Sequence, residues 1–190
     1  MQETALLSYL LFEDGKIVID EITPEDRFGK LFNNETGWTS ASMGKSLVSY
    51  ITGHAICGGY IDSVDSRLDD WSLLQNTLYY NQKLIDLLNM SAGDQKYSVS
   101  DLKIGKGKKI SPNNNSIKHH MDGFFKNSKK SKSKYNYSNI VPNIIINYVW
   151  FKSKGDFQKI LDEAFKEKAR INNTVFFLKI GQGTKDEDGP

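Results

Sequence analysis

The chain has 190 residues, 38% of them hydrophobic and 12% aromatic, enough for one globular domain with a core. No run of about 18 apolar residues is present to span a membrane. The start, MQETALLSYLLFEDG, sets acids on both sides of a short apolar run without a basic lead, so no secretion signal is recognisable and a cytoplasmic setting is the default expectation. The net charge is +2, and Cys57, the sole cysteine, rules out an internal disulfide and a cysteine-based zinc site.

In chain order, ALLSYLLFE and KIVIDEI flank Glu13-Asp14-Gly15-Lys16. Asp-Gly between two β-rich runs predicts a hairpin, because the turn needs positive φ and glycine tolerates it. Residues 23–37, polar and carrying Pro24, read as a connecting loop. From Ser42 to Cys57 the residues Met43, Leu47, Val48, Ile51, Ala55 and Ile56 recur at helical spacing, and Gly58-Gly59 stops the segment. With apolar or small residues on nearly every face, this helix is expected to be buried and central. YIDSVDSRLDDW is turn-rich, and QKLIDLLNMSAGD predicts a short helix closed near Gly93.

Residues 103–134 hold ten lysines against Asp122 alone, which leaves 15 basic and 22 acidic residues in the rest of the chain. Rich also in Asn, Ser and Gly, the block reads as a loop with at most weak structure. Beyond it, residues 139–151 are apolar and predicted helical past Pro142. Residues 156–170 predict an amphipathic helix with Phe157, Ile160, Leu161, Ala164 and Phe165 on one side. NNTVFFLKI suits a last strand or extended segment, and GQGTKDEDGP a disordered tail. About three clear strands result, few for a sheet that must cover a core.

Chemistry concentrates in SASMGKSLVSY. Ser42 and Lys45 lie three residues apart, hence on one face of a helix and one turn from each other. A serine hydroxyl becomes a useful nucleophile when a neighbouring base takes its proton, and lysine can serve if its surroundings disfavour the ammonium. At a helix N-terminus the Ser42 backbone N–H could also stabilise an oxyanion. Ser40 or Ser42 could equally be a plain N-cap with Lys45 a solvated charge.

A second element, Tyr137-Ser138-Asn139, follows the lysine block. The ordered set of hairpin, W-x-S-x-S-M-G-K-S, H-A-I-C-G-G-Y-I-D-S-V-D, L-I-D-L-L-N-M-S-A-G and Y-S-N resembles the serine β-lactamase and penicillin-binding-protein superfamily. Its class C-like branch, which includes esterases and the 6-aminohexanoate-dimer hydrolases, is the most similar. The resemblance spans about residues 4 to 178, and S-x-x-K is the nucleophile motif of that superfamily. It implies an α+β fold and an acyl-enzyme on Ser42, with Lys45 as general base or proton relay. It further implies that Tyr137 shares the base role and protonates the leaving group, while Asn139 helps hold the lysine and the substrate amide. An ester, amide or β-lactam-like small molecule is the implied substrate class, with no cofactor and no metal.

Members of that superfamily carry a third motif, Lys or His, Thr or Ser, then Gly, on a strand beside the nucleophile. No such triplet occurs in these 190 residues; Gly183-Thr184-Lys185 has the wrong order. The expectation is therefore an incomplete sheet, from a fragment or a truncated product or with strands supplied by a partner, and an exposed apolar hairpin face. Two other readings stay open: a catalytically silent remnant or interaction module, and polyanion binding by residues 103–134 with Phe124, Phe125, Tyr135 and Tyr137 as stacking surfaces. The plainer reading of the lysine block is a solvated loop rimming the cleft, with nucleic acid an unlikely partner. His54 lies twelve residues beyond Ser42, about 18 Å along a helix, and reads as a core or rim residue. His119-His120 lack metal-ligand spacing, and Gly105-Lys106-Gly107 lacks the strand and third glycine of a dinucleotide fingerprint.

Overall fold

The computed structural model describes residues 6–33, 36, 41–97, 117–172, 175 and 177, a mixture of helix and strand that divides into two compact units, residues 1–41 and 42–190. In the first unit, β1 (Ser8–Glu13) and β2 (Lys16–Ile22) pair antiparallel. The turn between them has Asp14 at φ 48° and Gly15 at φ 77°, the doubly positive pair that matches hairpin twist. A bulge between Leu11 and Phe12 shifts the register, so that Leu11 faces Ile19 and Phe12 faces Ile17. Leu10, Phe12, Ile17 and Val18 are each more than half exposed. Pro24 starts a short wide turn, Glu25–Gly29, inside what the sequence presents as plain loop.

The second unit is helical. A tight turn, Ala41–Met43, leads into α1 (Gly44–Cys57). Short α2 (Leu84–Leu88) ends before the expected stop at Gly93. Then follow α3 (Ile117–His120), continued by a wider turn Met121–Phe125, and α4 (Ile140–Ser153). Last comes α5 (Phe157–Leu161), running into the wider turn Asp162–Lys168. α4 packs on α1, α2, α3 and α5.

The central helix is α4. Ile140, Val141, Pro142, Ile144, Ile145, Ile146, Tyr148 and Val149 are all buried, the pattern of a helix that is apolar all round and surrounded by others. Pro142 sits at its third position, where a missing N–H costs no intrahelical bond. α1 is instead buried on one face, through Val48, Ile51, Thr52 and Ala55, with Ser49, Tyr50, Gly53 and Cys57 exposed. One face of α1 thus meets water, and the helix is not surrounded by core as expected. The five apolar positions expected of the last helix, from Phe157 to Phe165, are all buried.

The lysine-rich segment departs from its expected loop. Residues 98–116 lie outside the described residues, but Ile117, Met121 and Phe125, four apart, are buried. Phe125 packs edge-on to Tyr79 at 5.1 Å. Apolar side chains at every fourth position suffice to dock a short helix within a polar stretch. The last strand or extended segment expected in NNTVFFLKI, and the tail after it, fall mostly outside the described residues. Those described there, Asn172, Val175 and Phe177, form no strand. Among the described residues no helix is long and apolar enough to cross a membrane.

Ile51 on α1 is fully buried. Ile51→Ala is expected to lower unfolding free energy by about 2–5 kcal/mol, measured by urea denaturation; a loss below about 1 kcal/mol would contradict the α1–α4 packing.

Candidate functional site

Two N-terminal ends meet at the site. The turn Ala41–Met43 presents Ser42, the first turn of α1 presents Lys45, and the residues just before α4 present Tyr137. Lys45 Nζ donates to Ser42 Oγ at 3.2 Å, as three-residue spacing allows. Tyr137 Oη donates to the same oxygen at 2.9 Å, across 95 residues of chain. Lys45 Nζ also stands 5.0 Å from the Tyr137 ring centroid, within cation–π range.

The Tyr137 phenol is held below its ordinary pKa. The hydrogen bond with Ser42 is the largest cause, followed by the hydrogen bond and charge of Lys45, while partial desolvation works against them. In the phenolate form the bond reverses and the Ser42 O–H donates to Tyr137. Such a trio can move the serine proton: hydroxyl, phenol and amine lie within direct reach of each other. Ser42 is exposed, and Tyr137 is 51% exposed, so a small molecule can approach the serine oxygen.

A continuous strap holds Tyr137 in place. Residues 126–136 run without regular structure across the segment that follows α2. Leu78 N–H donates to Ser128 Oγ at 2.8 Å, Ser131 N–H to Gly93 O at 2.8 Å, and Asn136 N–H to Met90 O at 2.8 Å. Gln95 Nε2 donates to the carbonyls of Lys132 and Lys134 at 3.3 and 3.0 Å. Gly93 has φ +76°, and a Cβ there would stand 2.5 Å from Ser131 O. Glycine is required on both counts.

The structure brings together Ser42, Lys45 and Tyr137 but not Asn139 by contact. Asn139 is exposed at the N-cap of α4 and makes no hydrogen bond to Lys45, Ser42 or Tyr137 among the described residues. The cap bond comes from its neighbour: Ile140 N–H donates to buried Ser138 Oγ at 3.3 Å. Ser42 precedes the first α-helical residue by two positions, in the tighter turn. His54 is partly buried, edge-on to Tyr50 at 4.8 Å. Of the lysine block, Lys126, Lys129, Lys130, Lys132 and Lys134 are exposed. Phe125 is buried and offers no stacking face, whereas Tyr135 is open. No group of three or more His, Cys, Asp or Glu suited to a metal occurs among the described residues. No family model, curated protein or solved structure matches this chain.

Sequence reasoning missed Asp94, a buried carboxyl that receives hydrogen bonds from Tyr79 Oη at 3.0 Å and Asn136 Nδ2 at 2.9 Å. Both partners are distant in sequence, so no local spacing announces the contact.

Replacing Lys45 by Met removes both a hydrogen-bond donor and the charge beside Tyr137. The Tyr137 phenol is expected to rise toward the ordinary value of about 10, read from the pH titration of its 13Cζ resonance with Tyr137→Phe as assignment control. An unchanged titration would refute the contact.

Proposed function

We propose that this chain is a serine hydrolase of the β-lactamase-like superfamily, α+β in fold, that cleaves an ester or amide through an acyl-enzyme on Ser42. The observation that carries the reading is the convergence of Lys45 Nζ and Tyr137 Oη on one serine oxygen. The ordered motifs of the sequence add the superfamily. In the reading, Ser42 Oγ attacks the carbonyl carbon while its proton passes to the Tyr137 phenolate, which Lys45 favours by charge and hydrogen bond. The intermediate collapses, the leaving alkoxide or amine takes the proton from Tyr137, and Ser42 is left acylated. Water then attacks the acyl carbon, Tyr137 accepts its proton, and that proton returns to Ser42 as the acid leaves. The Ser42 backbone N–H is the first oxyanion donor, and Asn139, exposed at the start of α4, is a substrate contact.

A fluorophosphonate is expected to add one adduct per folded chain, mapped to Ser42 by intact mass and peptide mass spectrometry. No adduct on folded protein would sink the proposal. Tyr137→Phe is expected to slow acylation by about 10²–10⁴-fold, the range for a positioned acid–base group.

Because the phenol is held below its ordinary value, acylation should climb with pH and level off below pH 10, as the base form accumulates. In Lys45→Met the rise should move to higher pH. A rate independent of pH in the wild type would remove Tyr137 as the base.

A second reading, a catalytically silent module, is favoured by one observation: Asn139 makes no hydrogen bond to Lys45, Ser42 or Tyr137 among the described residues. It predicts ester turnover equal to that of Ser42→Ala; turnover abolished by that change would refute it.

A further inference from the structure

The geometry points to Asp94 as a buried positioning residue that sets Tyr137 against Ser42 through Asn136. This deepens the hydrolase reading and rests on it only for the consequence in rate. Tyr137 is exposed and sits in a segment without regular structure, so its own backbone conformation does not fix it. Its neighbours do. Asn136 is tied twice, by its backbone N–H to Met90 O and by its side-chain amide to Asp94 Oδ1. Ser138 on the other side is buried and caps α4.

Asp94 itself is immobilised from three directions. It is 1% exposed, its Oδ2 accepts from Tyr79 Oη, and its backbone oxygen accepts from Tyr97 N–H at 2.7 Å. Tyr79 is fully buried and packed on Phe125. Buried Gln82 donates to Ala92 O at 2.8 Å and to Leu78 O at 2.7 Å, which ties the backbone two residues before Asp94 to the interior. The carboxyl thus joins the rigid interior to the strap by a bond whose loss would leave a buried acceptor without one of its two donors. No other side chain of the strap bonds a buried side chain among the described residues. A displacement of about 1 Å at a reacting group can cost about 10²-fold in rate, so the Asp94–Asn136 tie can set activity without touching substrate.

The test uses the full chain and two readouts: the 13Cζ titration of Tyr137 and the rate of fluorophosphonate labelling at Ser42. Asn136→Ala cuts the tie while leaving Tyr79 on Asp94. The expected result is a Tyr137 titration displaced toward that of a free phenol and labelling slowed about tenfold to a hundredfold, with the fold retained by circular dichroism. Asp94→Asn is expected to act in the same direction. The exchange Asp94→Asn with Asn136→Asp presents the donor from the other side and is expected to recover both readouts.

A purely structural role predicts lower thermal stability with the Tyr137 titration of the folded protein unmoved. That result in Asn136→Ala, or a failure of the exchange to recover the titration, would overturn the proposal. Should Asp94→Asn not fold, Asn136→Ala reports the same tie alone. If Ser42 takes no label even in the wild type, the hydrolase reading fails while the titration still decides the role of Asp94.

Discussion

The site depends on the burial of α4. Its isoleucines and valines leave almost no face for water, so other elements must pack around it, and α1 and α2 are among those that do. That packing sets the N-terminal end of α1, with Ser42 and Lys45, beside the N-terminal end of α4, with Tyr137. A hydrogen bond across 95 residues of chain is entropically expensive to assemble on its own. It is tolerable here because the helices meet for hydrophobic reasons, and the three polar side chains then find each other at the rim.

The polar network beneath follows from the same constraint. The strap that leads to Tyr137 has no helix or sheet to satisfy its backbone, so its N–H and C=O groups need other partners. Ser131, Lys132, Lys134 and Asn136 find them on Met90, Gly93 and Gln95. Gly93 permits this close approach because it lacks a Cβ. The strap's exposed lysines project from a backbone pinned at its edge, so even a solvated stretch can carry defined geometry.

What the sequence showed depended on how local each signal was. The hairpin was legible because Asp14-Gly15 adopts its turn almost independently of the rest, and Phe157 to Phe165 because a one-sided stripe has one way to bury. The balance between α1 and α4 was not. Both runs are rich in apolar residues, and choosing the central one requires knowing which neighbours surround it. Reading the lysine block by composition concealed Ile117, Met121 and Phe125, whose spacing held the relevant information. Ser42 and Lys45 could be paired from spacing alone, and Tyr137 only through a resemblance in chain order. Asp94 had neither spacing nor motif, since its partners come from 15 and 42 residues away.

Exposure divides the labour within the site. Tyr137 must remain open if a small molecule is to reach Ser42, yet an open tyrosine on an irregular segment loses orientation to rotamer and backbone freedom. Burying the ring would restore order but hinder access to the serine. Anchoring the flanking residues instead resolves the conflict: Asn136 and Ser138 take the buried hydrogen bonds, and the phenol between them keeps its access. Lys45 then acts on a group whose place is already set, and its cation tunes the phenol without having to hold it.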